Sequence, residues 1–217
     1  MRFRIDLKIF LLLILFFLTK QIETYAVIMI FAFVHELGHL FSGILLGMKP
    51  EKLEIMPFGV SISFKICTKD YNRKIKNGNI LELKKIFIAL AGPMTNFLII
   101  LISLKLNIDL FSNLIIIYSN LLLMAFNLIP IYPLDGGRII KSILHIFYGN
   151  IKAEKYTNRI SFIVLIIITT LASFAVYKFE NIAIFLIIIF LWGIFIKEDL
   201  KYKKRQNLYN LYRKYIE

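Results

Sequence analysis

Tyr25-Ala-Val-Ile-Met-Ile-Phe-Ala-Phe-Val-His35-Glu36-Leu-Gly-His39-Leu-Phe-Ser-Gly-Ile-Leu-Leu-Gly47 is an apolar run interrupted by three titratable side chains. It is long enough to cross a bilayer as a helix. On that helix His35 and His39, four residues apart, project from one face roughly 40° apart, so both imidazoles reach a single metal ion. Glu36 points beside that position rather than at it, where a carboxylate can hold and deprotonate a water at the metal. Burying such groups at mid-helix in a membrane segment is costly, which marks them as functional by default.

The rest of the chain shares this character. Of its 217 residues 59% are hydrophobic, a composition of polytopic membrane proteins rather than soluble domains. That length allows one compact bundle with little left for soluble modules. Lys and Arg number 27 against 14 Asp and Glu, a formal +13. In a soluble protein this excess would point to nucleic acid. Here the basic residues fall between apolar runs, which assigns them to membrane topology and anionic lipid headgroups. The single cysteine, Cys67, excludes an internal disulfide and a thiolate metal cluster, and reads as a free thiol near a membrane surface.

Upstream of the motif, Met1-Arg-Phe-Arg-Ile-Asp-Leu-Lys8 precedes an apolar run from Ile9 to Leu18. Residues Thr19 to Thr24 contain neither Ala nor Gly to make a cleavage site, so the run reads as an uncleaved first transmembrane helix. The motif helix is the second. Its small residues Ala32, Gly38, Ser42 and Gly43 let neighbouring helices approach closely.

Downstream, Leu53-Glu-Ile-Met-Pro-Phe-Gly-Val-Ser-Ile-Ser-Phe-Lys65 alternates polar and apolar residues about a Pro57-Phe-Gly59 break. That pattern predicts two short strands, a hairpin in or at the membrane face, with an ordinary surface loop as the alternative. Asp70 to Gly78 reads as solvated loop. Further spans are expected at about 86–104, 110–129, 160–177 and 182–196, with an interfacial amphipathic helix over Ile139 to Arg159. The expected fold is an all-α polytopic membrane protein, a six-helix transmembrane bundle with a small membrane-associated β-hairpin between the second and third helices. Residues 1–196 are read as a single domain and 197–217 as a short basic cytoplasmic tail, a surface helix at most.

With six spans, 24 of the 27 basic side chains fall on one side and only Lys20, Lys105 and Lys178 on the other. The rich side is cytoplasmic, so both termini face the cytosol of a multi-pass cell-membrane protein.

Two histidines do not complete a catalytic zinc site, which takes three protein ligands and leaves a fourth position for water. His145, the only other histidine, lies in the amphipathic segment and reads as a surface or packing residue. Asp135 is the better third ligand. It follows Pro130 and Pro133 and precedes Gly136-Gly137, where the backbone must be irregular, and irregular backbone at membrane depth is tolerated where it lines an enclosed cavity. Zn2+ with two neutral imidazoles, Asp135 and the Glu36 carboxylate sums to zero charge, which lowers the burial cost of each. The alternative for Asp135 is a helix cap or turn residue. The second and fourth spans run in the same direction, which puts both halves of the site toward the cytoplasmic side.

Three motifs in order carry a family resemblance: His-Glu-Leu-Gly-His at 35–39, Ala91-Gly-Pro-Met-Thr-Asn96, and Asn127-Leu-Ile-Pro-Ile-Tyr-Pro-Leu-Asp-Gly-Gly137. The chain resembles the site-2 proteases, the intramembrane zinc metalloproteases of peptidase family M50, across its second to fourth spans. The resemblance implies one zinc bound by His35, His39 and Asp135, with Glu36 as general base. It also implies that Asn96 and Asn127 hold substrate or shape the site, while buried helix-to-helix hydrogen bonding explains them equally. The compact layout and Met56-Pro-Phe-Gly59 are similar to the sporulation branch, stage IV sporulation protein FB, whose members cleave the propeptide of a late sigma factor. No PDZ domain interrupts the core, which fits that branch. The CBS domain many members carry after the last span has no counterpart in the twenty or so residues after Ile196, so ATP regulation through it does not carry over.

The expected function is thus hydrolysis of a peptide bond in or next to a membrane-associated segment. The Leu53 to Lys65 hairpin would clamp the substrate as an added strand. The rival is a zinc transporter using the same residues as a transit site, although a conduit needs successive sites along the membrane normal. Expected partners are a membrane-associated protein substrate, anionic lipids and membrane-protein regulators, with no nucleic acid.

Overall fold

Long apolar segments dominate the secondary structure, as a chain of this composition requires. A computed structural model describes residues 2–5, 22–56, 59–65, 75–105, 113–179 and 182–216. The expected first span, the Pro57-Phe58 turn and Cys67 lie outside these residues. Two units are distinguished, Met1–Leu128 and Ile129–Glu217.

The first unit holds strand β1 (Arg2–Ile5), helix α1 (Ile22–Leu45), strands β2 (Lys49–Met56) and β3 (Gly59–Lys65), and helices α2 (Ile75–Lys105) and α3 (Asn113–Asn127). Helix α1 packs on α2 and α3, and α2 also packs on α3. Close approach of α1 to α2 depends on Gly38, where a β-carbon would lie 2.7 Å from the Thr95 side chain and 3.0 Å from the Ala91 carbonyl. At Gly43 a β-carbon would run into the Phe64 ring, so the sheet lies directly against this helix.

Helix α1 ends in a glycine-terminated cap. Gly47 takes φ +77, Met48 N donates to the Gly43 carbonyl at 2.9 Å and Gly47 N to that of Ile44 at 2.9 Å. This is the pairing that closes a helix on a left-handed residue. Lys84 Nζ donates to the Leu46 carbonyl at 2.8 Å, satisfying another open acceptor of that end.

The strands pair in the order β1-β2-β3, with β2 and β3 antiparallel in the register Lys52↔Ser63 to Met56↔Gly59. The alternation of residues 53–65 thus produces strands, although β2 begins four residues earlier than the pattern shows. Arg2–Ile5, expected as the charged flank of a helix, is a third strand parallel to β2. Its own alternation is the reason, since the register sets Phe3 beside Leu53, Arg4 beside Glu54 and Ile5 beside Ile55. A second correction concerns Ile75 to Gly78. These residues, expected as loop, form the first turn of α2.

The second unit holds α4 (Asp135–Tyr148), α5 (Asn150–Phe179) and α6 (Ile182–Ile216), with α5 packed on both of its neighbours. The single amphipathic helix expected over 139–159 is in fact two helices. Gly149 at φ +77 breaks it, and its second half continues into the apolar segment of α5. Polar ties join α5 to α4 and α6 at one end: Lys141 to Glu154 at 3.1 Å, Arg205 to Glu154 at 3.4 Å, and Asn158 to Asp199 at 2.8 Å. Further along, Trp192 Nε1 donates to Thr169 Oγ1 at 3.1 Å.

Among the described residues three helices are long and apolar enough to cross a membrane: Tyr25–Leu45, Asn79–Lys105 and Asn150–Lys178. Helix α3, at the expected fourth span, is apolar but only 15 residues long. These helices expose Phe33, Phe41, Ile44, Leu98, Ile102 and Phe174, the reverse of a soluble helix, whose outer face is polar.

Candidate metal centre

Helix α1 positions the two histidines as their spacing requires. Both are buried, and their Nε2 atoms lie 3.1 Å apart with the rings edge-on. Two nitrogens bonded to one tetrahedral zinc at about 2.0–2.1 Å would lie roughly 3.3 Å apart, so the observed spacing is that of neighbouring ligands.

The other ring nitrogens are held by α2. His39 Nδ1 donates to the Ile88 carbonyl at 2.6 Å, and His35 Nδ1 meets Asn96 Nδ2 at 3.1 Å. A backbone carbonyl or similar partner on the second nitrogen is the usual support of a metal-binding histidine. Helix α2 reaches the pair through Ala91-Gly92-Pro93. Gly92 faces both Nε2 atoms so closely that a β-carbon there would collide with each ring. Pro93, one residue on, removes the amide proton that would bond the carbonyl a turn back.

Glu36 is half-buried, about 100° round the helix from His35. Asn127 ends α3, half-buried, and its Nδ2 donates to the Leu123 carbonyl at 3.0 Å. Asn96 is wholly buried and meets a candidate ligand rather than solvent. Asn120, which the sequence reading passed over, is equally buried on α3; its Nδ2 bonds the Ile116 carbonyl at 2.8 Å and its Oδ1 has no hydrogen-bond partner among the described residues. The signal for it was Ser119-Asn120 interrupting an otherwise apolar helix.

Asp135 belongs to the second unit. It is the first residue of α4, buried, with Arg138 Nη1 at 3.5 Å. Asp135 thus lies at the positive end of the helix dipole, where a carboxylate is favourably placed. Gly137, two residues on, is required by packing. At Gly137 a β-carbon would overlap the backbone of Ile131 and Tyr132, which folds onto the start of α4. Tyr132 N donates to buried Ser161 Oγ at 3.0 Å, fixing this loop to α5. All three candidate ligands, His35, His39 and Asp135, are therefore buried. His145 lies half-buried in the last turn of α4, as expected of a packing residue.

The sequence profile of peptidase family M50 matches residues 23–111 and 102–171. A zinc metalloprotease of Methanocaldococcus jannaschii is 36% identical over 151 residues, 63% of this chain and 40% of that protein. The chain thus spans about two fifths of the length of that curated relative. A solved structure, the site-2 protease from Methanocaldococcus jannaschii, superposes with a TM-score of 0.64 at 24% identity, covering 89% of this chain and 88% of that one. At that identity the likeness is one of fold.

Proposed function

The chain belongs to peptidase family M50, and from that premise we propose that it is a zinc metalloendopeptidase cleaving a peptide bond in or next to a membrane-associated segment of a precursor protein. The observation that carries this reading is the buried His35–His39 pair, its Nε2 atoms 3.1 Å apart and its outer nitrogens held by α2. The residues fit zinc: imidazole and carboxylate are its usual donors, and Gly92 leaves the space beside both nitrogens free of a side chain. His35, His39 and Asp135 would hold one ion.

Zinc, when bound, polarises the scissile carbonyl and lowers the pKa of water toward neutrality. Glu36 takes the proton of the attacking water and passes it to the leaving nitrogen. Burial of the site in apolar helices strengthens each of these electrostatic interactions. Asn127, at the end of α3, is the substrate-side candidate. The β2–β3 hairpin, read as membrane-associated, would receive an unwound substrate segment as an added strand.

The finer reading follows from the sequence. Similarity of Met56-Pro-Phe-Gly59 to the sporulation branch supports a sigma-factor propeptide or another regulated membrane protein as substrate. The charge distribution supports a six-span layout with both termini and the active site toward the cytoplasm, and contacts to anionic lipids. The test is co-expression of a membrane-associated precursor with the wild-type chain and with Glu36→Gln. Cleavage by the first and not the second is expected. Precursor left intact by both, with zinc flux into proteoliposomes, would favour transport instead.

A further inference from the structure

The segment that leads into Asp135 has few backbone donors. Pro130 and Pro133 carry no amide proton, so residues 130–134 have three, at Ile131, Tyr132 and Leu134. Two of them are used locally: Ile131 N donates to the Ile129 carbonyl at 2.7 Å and Leu134 N to that of Ile131 at 2.8 Å. Among the described residues Tyr132 N alone ties this backbone to another element, donating to Ser161 Oγ on α5 at 3.0 Å. The account of where these amides go thus leaves a single tertiary anchor.

That anchor sits where it controls the start of α4. A β-carbon on Gly137 would lie 2.4 Å from Tyr132 N, so the same amide touches both Ser161 and the first turn of α4, whose first residue is Asp135. A shift of the loop at Tyr132 therefore moves the turn that carries the carboxylate. Helix α5 holds Tyr132 a second time. Lys141 Nζ stands 4.7 Å over the tyrosine ring and pairs with Glu154, seven residues before Ser161 and on the same face of α5. Ser161 itself is only 1% exposed, and a hydroxyl buried that deeply is costly unless it is used.

We propose that Ser161 is a positioning residue of the metal centre: its hydroxyl holds the Tyr132 amide, and through it the first turn of α4, in the place from which Asp135 reaches the ion. This rests on the reading above that Asp135 is a zinc ligand. Ser161→Ala removes the acceptor with little change in volume. Solvent can then satisfy the amide but cannot tie the loop to α5.

The test uses the full chain in detergent, with zinc affinity measured by competition against a chromophoric chelator and folding followed by circular dichroism. Supports of metal ligands are worth roughly 10–100-fold in affinity, and Ser161→Ala, acting one step further out, should weaken zinc binding about tenfold. In an Asp135→Ala background, where the histidine pair alone binds more weakly, adding Ser161→Ala should change nothing, because the loop then presents no ligand. A purely structural Ser161 would lower affinity by the same factor in both backgrounds. Cobalt(II) loaded in place of zinc gives a second readout that needs no double variant: its visible spectrum, which follows ligand geometry, should differ between wild type and Ser161→Ala. Should Ser161→Ala fail to fold, Ser161→Cys, close in shape and a weaker acceptor, is read in the same way. Unchanged affinity in the single variant, an equal loss in both backgrounds, or identical cobalt spectra would overturn the proposal. A wild-type chain that binds no zinc, or an Asp135→Ala chain that binds it as tightly as wild type, would instead overturn the ligand reading on which it stands.

Discussion

His39 Nδ1 donates to the Ile88 carbonyl at 2.6 Å, across 49 residues of chain, and this bond fixes the ring with its Nε2 toward His35. Helix α2 thereby sets the direction in which a ligand on α1 points. The same helix brings Gly92 up to the pair, which leads to the first prediction.

Gly92→Ala should abolish zinc retention while leaving the helices formed. The added methyl would collide with the Nε2 atoms of both histidines, and alanine favours a helix interior over glycine by about 1 kcal/mol. Metal analysis after dialysis, beside circular dichroism, checks both parts. Zinc retained at the wild-type level would remove Gly92 from the site.

Gly137→Ala should destabilise the chain by about 1–3 kcal/mol, the range of an overpacked core position. Its methyl would meet backbone of Ile131 and Tyr132, which no rotamer change relieves. Chemical denaturation measures the loss. Zinc binding should weaken as well, because Asp135 lies two residues away on the same turn.

A pH effect is expected at the α5–α6 contact. The hydrogen bond from Lys203 Nζ holds the Asp199 carboxyl below the usual carboxylate range, aided by that from Asn158 and opposed by partial burial. A depressed folded-state pKa means that the stabilisation is full above the ordinary carboxylate range and is lost as pH falls through the folded value. Asp199→Asn should therefore cost below about 1 kcal/mol at neutral pH, the scale of a surface ion pair, and nothing in strong acid. Thermal unfolding of both proteins across acid pH shows whether the gap closes. A gap constant with pH would contradict this assignment.

Much of the site was legible because its chemistry is written in local spacing. His35 and His39 share a face by helix geometry alone, and Asp135 stood out because Pro130, Pro133 and Gly136-Gly137 break the helix around it. Contacts between segments were not legible. Nothing in the spacing shows that Ile88 would receive His39, that Asn96 would meet His35 Nδ1, or that Gly92 would face both rings, since these depend on the rotation of α2 against α1. The fold shows the same division. Alternation in residues 53–65 predicts β2 and β3, whereas β1 was hidden because Arg2–Ile5 is too short to read as a strand without its partner. Gly149 was hidden too: a lone glycine in an amphipathic run is tolerated within helices, and only its positive φ identifies the break.

The proposed single zinc would be held by His35, His39 and Asp135, residues from sequence segments about a hundred positions apart. This is tested most directly by metal stoichiometry of the purified wild-type chain and Asp135→Ala at the same buffered free zinc, with circular dichroism to show that both are folded. About one zinc per wild-type chain is expected, with a folded variant that has lost it. A folded Asp135→Ala chain that still holds about one zinc would contradict it.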